Sequence, residues 1–273
     1  MAMTIAVTAP ARALEREAAK AVEALSQELF GARAPEMRFH PQCFERAGHF
    51  AGSDEARVAA FVEVANDPAV DAVWFARGGY GSCRLDAAFE ALGPAARDKV
   101  YLGYSDTGFL LGRLQNLGVG RPAHGPMPAD ILRDRGTEAV ARSLKWLVDG
   151  DAAGLAVLPQ PDAPTLAYNV TVLAHAMSGA WRPSLAGRVL IVEEIDEYLY
   201  RIDRALGAVF AHPEAGELAG VMLGRCSGIP ENDIEFGQTP EEILRYWAGR
   251  VGVPYLGRAD IGHDVDNKIV PFG

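Results

Sequence analysis

The apolar run Val100-Tyr101-Leu102-Gly103-Tyr104 ends at Ser105, and Asp106-Thr107-Gly108-Phe109-Leu110-Leu111 then reads as the start of a helix. A serine at a sharp strand-to-helix turn has its hydroxyl pushed outward, beside the first free N–H groups of the helix. That is the layout of a nucleophile elbow, with Gly103 permitting the tight backbone and Asp106 opening the helix. The same residues would equally serve an ordinary βα turn capped by Ser105 or Asp106.

A serine nucleophile needs a base, a group to orient that base, and N–H donors for the oxyanion. Histidine is the usual base because its pKa lies near neutrality, and the chain has six. His40 and His49 sit in or beside early strand and loop segments with no acidic motif. His175 lies within a helical apolar pattern, and His212 precedes Pro213 at a helix end, where it reads as a cap. Two candidates remain. His124, in Ala123-His124-Gly125-Pro126, lies near the end of the next strand after the elbow. His263 lies in the Gly/Asp loop Asp260–Asn267, where Gly262 allows close approach. Residue types alone leave both open.

The acid candidate is Glu193-Glu194, which ends the apolar run Val189-Leu190-Ile191-Val192. A carboxylate at the end of a buried strand must be paired or hydrogen-bonded. It either joins the site or bridges Arg201 or Arg204 in the charge-rich segment that follows. Arg77-Gly78-Gly79-Tyr80-Gly81 can bend backbone N–H groups toward an anion. It lacks the Lys-Ser/Thr ending of a P-loop and the spacing of a dinucleotide fingerprint. It therefore reads as an oxyanion donor or a carboxylate clamp. Cys83 follows this loop, away from any elbow, and reads as structural.

These residues need a scaffold that delivers them to one place. Strand and helix patterns alternate through the first half: strands at Thr4–Ala9, Met37–His40, Val70–Ala76 and Val100–Tyr104, helices at Ala13–Phe30, Glu55–Asn66, Leu85–Leu92 and Gly136–Gly150. This order predicts an α/β fold with a parallel sheet, whose sites form at the carboxyl ends of strands, where both Ser105 and the glycine loop fall. The Ala/Pro/Asp/Gly-rich segment Asp151–Thr165 reads as a linker between a nucleophile domain (1–150) and a smaller α/β domain (166–273). The second domain shows helices at Asn169–Ser178 and Tyr198–Phe210, strands at Val189–Glu193 and Gly220–Leu223, and a helix start at Thr239-Pro240. The tail Gly252–Gly273 reads as strand and loop.

Composition narrows the partners. With 273 residues, 49% of them hydrophobic, the chain can bury a sizeable core without staples. A net charge of -10 and no basic block argue against nucleic acid. No apolar run approaches the roughly 20 residues of a membrane helix, and no signal peptide is visible. Three widely spaced cysteines, Cys43, Cys83 and Cys226, fit a reducing compartment, the cytoplasm, and suggest neither disulfides nor a metal site.

The motifs also occur together in one known family. In order and spacing, the chain resembles the LD-carboxypeptidases, serine peptidases whose family includes the microcin C7 immunity hydrolases. The resemblance runs through Phe50–Arg57 with Arg77–Gly81, Gly103–Asp106, Ala123–Pro126, Ile191–Glu194, Tyr200–Arg204 and Gly262-His263 with Asn267 and Pro271. It implies Ser105 as nucleophile, Glu193 as orienting acid and His263 as base. It further implies an amidotransferase-like N-terminal domain with a parallel sheet, a cleft against the smaller domain, a homodimer and no metal or cofactor. The substrate implied is a murein tetrapeptide, cut before its terminal D-alanine during cytoplasmic wall recycling. The family's Gly-Gly-Asn is replaced here by Ala167-Tyr168-Asn169, and a tyrosine there is expected to narrow or reshape the cleft.

The combined reading is a two-domain serine hydrolase. The N–H groups of Asp106 and Gly79 form its oxyanion hole, and Arg77 meets the substrate carboxylate. Its rivals are an aminoacyl-nucleotide amide hydrolase and a non-catalytic ligand-binding α/β protein that retains the motifs.

Overall fold

The computed structural model describes residues 3–159 and 162–273. Strands β1 (Thr4–Thr8), β2 (Glu36–Phe39), β3 (Ala72–Phe75), β4 (Val100–Gly103) and β5 (Arg121–His124) pair in parallel. Helices α1 (Arg16–Phe30), α2 (Asp54–Asn66), α3 (Gly108–Leu117) and α4 (Gly136–Asp149) alternate with them. A second, all-parallel sheet follows, built from β6 (Thr165–Asn169), β7 (Val189–Ile195), β8 (Gly220–Ser227) and β9 (Tyr255–Arg258) in that order. Its helices are α5 (Val170–Ala176), α6 (Leu199–Phe210) and α7 (Pro240–Arg250). The short β10 (Val270–Pro271) then returns to the first sheet and pairs antiparallel with β5, making the order β10-β5-β4-β3-β1-β2.

The central strands β1 and β3 are buried along their whole length because both faces of the first sheet are covered there. Ile5, Val7, Trp74 and Leu102 pack on one face with α1 and α4. Their neighbours Ala6, Val73, Phe75 and Tyr101 face the other way, into a core that runs on through Leu166, Leu190 and Val221 of the second sheet. The helix ends follow local chemistry. Ser53 caps α2 by accepting from the Ala56 N–H at 3.2 Å, with Asp54 and Glu55 in the first turn. Thr239 and Glu242 form a reciprocal capping box on α7, behind Pro240.

Three sequence expectations differ from the structure. Helix α1 starts at Arg16 rather than Ala13, because Glu15 is extended (φ -76°, ψ 139°) and the Leu14 N–H is tied to the Cys43 carbonyl at 2.7 Å. Leu85–Leu92 forms a tight 3-10 segment, Asp86–Ala91, instead of an α-helix. Tyr168 does not line the cleft. It is buried between the two halves, its ring 5.6 Å from Phe272 and against Gly108 and Gly112 of α3. The segment read as a linker, Asp151–Thr165, contains residues 160 and 161, which lie outside the described residues. Its first part is pinned by a parallel bridge between Leu155 and Ile269.

Gly112 gives a direct test of the packing between halves. A Cβ there would overlap the Tyr168 hydroxyl and lie 3.1 Å from the Trp181 carbonyl oxygen. Overpacking of this kind costs about 1–3 kcal/mol. Gly112→Val should lower the urea midpoint by that equivalent, and adding Tyr168→Phe should recover part of it. An unchanged midpoint in Gly112→Val would contradict this packing.

Candidate active site

Strand β4 ends at Gly103, and the chain turns through a 3-10 segment, Ser105–Thr107, into α3. Ser105 has φ of 60°, a left-handed conformation that costs a non-glycine residue of order 1 kcal/mol. The turn closes only because its neighbours are small. A Cβ on Gly103 would lie 2.5 Å from Thr107 Oγ1 and 2.9 Å from the Phe75 ring, and one on Gly78 would lie 2.9 Å from the Ser105 Cβ.

The structure brings Ser105, His263 and Glu193 together. Ser105 Oγ lies 2.9 Å from His263 Nε2, and His263 Nδ1 lies 2.6 Å from Glu193 Oε2. Glu193 is fully buried, so its carboxylate fixes the tautomer: Nδ1–H donates to it, and Nε2 is left to accept from the serine hydroxyl. Gly224 on β8 makes room for this acid, since a Cβ there would lie 3.0 Å from the Glu193 Cβ. Burial acts to depress the His263 pKa, but the charge and hydrogen bond of Glu193, aided by Glu194, outweigh it and raise the ring above its ordinary value.

The adjacent carboxylate has a different task. Glu194 does not bridge Arg201 or Arg204; Arg201 pairs instead with Glu197 at 3.4 Å. Glu194 accepts from the Asn169 amide, from the Thr171 N–H at 2.9 Å and hydroxyl at 2.7 Å, and from the Ile195 N–H at 2.9 Å. It ties β7 to the start of α5. Burial raises its pKa against these donors.

The glycine loop lies over the elbow. The Asp106 carboxylate accepts from the Ser82 N–H at 2.8 Å, and buried Arg57 of α2 donates to the Gly81 carbonyl at 2.9 Å, so the C-terminal end of the loop is held by the elbow and by α2. Among the described residues, the N–H groups of Gly79 and Asp106 have no protein acceptor. Gly78 brings the loop against the elbow: a Cβ on it would lie 3.0 Å from Ser105 Oγ and 3.5 Å from the Asp106 nitrogen. The cleft, about 380 Å³, is lined by Arg12, Arg77, Gly79, Asp130, Arg133 and Asp196 beside Ser105 and His263. A larger cavity of about 600 Å³, along Leu155, Pro164 and Ile269, contains none of these groups. No cluster suited to a metal ion occurs among the described residues.

Sequence reasoning did not find what holds the His263 loop. Asn267 Oδ1 accepts from the Gly262 N–H at 3.2 Å and pairs with His124 Nε2 at 3.0 Å. Arg133 donates to the His263 carbonyl at 2.9 Å, and Arg142 to the Val265 and Asn267 carbonyls at 3.1 and 2.7 Å. His124, the rival base, therefore sits beneath the site as a buried anchor, 5.5 Å from the Tyr104 ring that also packs on His263. Asp260–Asn267 carried a visible Gly/Asp signal, but its long-range partners have no local signature. The remaining histidines stand apart: His40 and His212 each accept a backbone N–H two residues on, His175 contacts the Thr171 carbonyl, and His49 packs on Phe50 and Tyr80.

Residues 5–125 match the family model of the LD-carboxypeptidase N-terminal domain, and residues 163–273 that of the C-terminal domain. A putative carboxypeptidase of Synechocystis is 30% identical over 249 residues, covering 87% of this chain and 79% of the relative. The murein tetrapeptide carboxypeptidase of Pseudomonas aeruginosa is 27% identical over 247 residues, covering 84% and 78%. Among solved structures, the muramoyltetrapeptide carboxypeptidase of Oxalobacter formigenes superposes with a TM-score of 0.79 at 24% identity, covering 98% of this chain and 93% of that one. The microcin C7 self immunity protein MccF in complex with aspartyl sulfamoyl adenosine also gives 0.79, at 16% identity and covering 100% and 92%. At these identities both structures speak to the fold.

Burial pushes the His124 imidazole down from 6.5 to about 4. The unfolded chain therefore takes up this proton first, and the group's contribution to stability is lost as pH falls from 6.5 toward about 4. The loss is on the order of 3 kcal/mol. His124→Gln should remove it, so that urea unfolding at pH 7 and pH 4.5 differs less than in the wild type. An identical acid loss in the variant would show that His124 is not held neutral.

Proposed function

The chain belongs to the LD-carboxypeptidase family and is a serine-type carboxypeptidase, and from that premise we propose that it releases the terminal D-alanine of murein tetrapeptides through a Ser105–His263–Glu193 acyl-enzyme mechanism. The observation that carries this reading is the hydrogen-bonded line from Ser105 Oγ through His263 to Glu193, at 2.9 and 2.6 Å. Ser105 attacks the amide carbonyl, and His263 Nε2 takes its proton. Glu193 holds the tautomer and stabilises the imidazolium. The N–H groups of Asp106 and Gly79 receive the oxyanion. His263 then passes the proton to the leaving amine, D-alanine departs, and a water activated by the same imidazole hydrolyses the ester. Arg77 faces the substrate carboxylate.

Relatives named as murein peptide carboxypeptidases in Pseudomonas aeruginosa and Bacillus subtilis support the choice of substrate, and with it a place in cytoplasmic wall recycling. The aminoacyl-nucleotide alternative calls for an aromatic platform to stack a base. The ring other than His263 among the cleft residues is Tyr104, which is buried and bound to Asp130 at 3.0 Å. That favours the peptide.

Incubation with a murein tetrapeptide, read by mass, tests the reading: loss of one alanine is expected, and an unaltered peptide contradicts it. Ser105→Ala should cut the rate by roughly 10⁴- to 10⁶-fold while leaving the fold intact, and more than a tenth of wild-type rate would exclude Ser105 as nucleophile. Glu193→Gln should reduce kcat strongly, whereas Glu194→Gln should act mainly on stability, because its donors lie on the structural side of β7.

The pH profile follows from His263. Its raised pKa means that kcat/KM falls as pH drops through that value, because the protonated ring cannot accept the serine proton. Glu193→Gln removes the charge that raises it, so the residual activity should keep its acid limb at a lower pH. A limb that stays in place or moves upward would contradict the pairing.

A further inference from the structure

Arg12 and Arg77 stand at the cleft without a salt bridge among the described residues. We propose that Arg12, together with Arg77, forms the subsite that recognises the substrate's terminal carboxylate and so restricts cleavage to the last residue of a peptide. The proposal rests on the carboxypeptidase reading above. Arg12 lies outside every motif that the sequence singled out, and its place is set by the glycine loop. Its stem runs across Gly79, where a Cβ would overlap Cδ and lie 2.8 Å from Cγ. The preceding Gly78 faces Ser105 Oγ, 3.0 Å from the corresponding Cβ position. Two successive glycines thus separate the Arg12 stem from the nucleophile. A terminal carboxylate lies one residue beyond the scissile carbonyl, about 3.8 Å along the chain, so its subsite must border the nucleophile, and Arg12, Arg77 and Ser105 line the same cleft.

Among the described residues, neither arginine forms an ion pair, and Arg77 makes one long hydrogen bond, to the Ala13 carbonyl at 3.4 Å. The nearby carboxylates are occupied. Glu15 binds Arg46 at 2.7 Å, and Asp130 binds Arg133 at 3.3 Å. Burial and then the positive charge of Arg12 lower the Arg77 pKa against the smaller opposing pull of Glu15 and Asp130, as expected of two cations held close together. In a chain of net charge -10, such a pair is an anion site in waiting. Across the cleft, exposed Asp196 repels a carboxylate. The substrate therefore binds with its terminus on the arginine wall, and a planar guanidinium fits that terminus in bidentate fashion.

The test compares a peptide ending in free D-alanine with the same peptide ending in D-alaninamide, using wild type, Arg12→Gln and Arg12→Lys. Wild type should prefer the acid. Arg12→Gln should lower the acid-to-amide ratio of kcat/KM by roughly 10- to 100-fold, the loss of one charge-assisted contact, and Arg12→Lys should restore part of it. Equal labelling of Ser105 by a fluorophosphonate in all three proteins establishes that the site is folded. A ratio unchanged in Arg12→Gln, or equal losses on both peptides, overturns the subsite. A wild type that cleaves neither peptide overturns the carboxypeptidase reading itself, and the two failures are thereby distinct.

Discussion

Glu193 is a carboxylate with no solvent exposure at the end of a buried strand, and its hydrogen bond to His263 is what makes that position tenable. A buried, unpaired charge costs several kcal/mol. One carboxylate oxygen accepts from Nδ1, and the other has no partner. The imidazole must therefore stay where it is. Holding it there requires the Asp260–Asn267 loop to be pinned, and the pins come from the other half of the molecule: Arg133, Arg142 and, through Asn267, His124. The second sheet supplies the acid, the first sheet supplies the serine, and the loop between them is fixed by both.

The elbow is the complementary constraint. A left-handed Ser105 aims the hydroxyl out of the turn, and the turn can close because Gly103 and Gly78 carry no Cβ to collide with Thr107, Phe75 and Ser105. Asp106 then serves twice: its N–H opens toward the space beside Oγ, and its carboxylate fastens the glycine loop through Ser82. The strain, the free donors and the loop are parts of one local design. The crossing of β10 back onto β5 completes it by setting His124 and the final strand in the same sheet as the elbow.

How much of this could be read in the sequence depended on range. The elbow was legible because its signal is local: an apolar strand, a glycine, a serine and a helix start within a few residues. The alternation of strands and helices in the first half pointed to its parallel sheet, but not to the antiparallel β10 at its edge. The choice between Glu193 and Glu194 was not legible from residue type, since adjacent residues of a strand face opposite ways and the β7–β8 register shifts between Val192 and Glu194. The choice between His124 and His263 turned on contacts between distant segments, which composition does not encode. Tyr168 was misplaced for a related reason: its position in a motif is visible, but whether its side chain faces the cleft or the core is set by the pleat of β6 and by Phe272 far along the chain. Arg12 has no motif at all and is placed by packing on Gly79.

The central claim is that a serine from one sheet is activated by an imidazole held by the other. It is tested most directly by treating the protein with a fluorophosphonate and locating the adduct by peptide mass, alongside His263→Gln. The account predicts a single adduct on Ser105 in the wild type and a labelling rate reduced by orders of magnitude in the variant. Labelling at another residue, or an equal rate in His263→Gln, would contradict it.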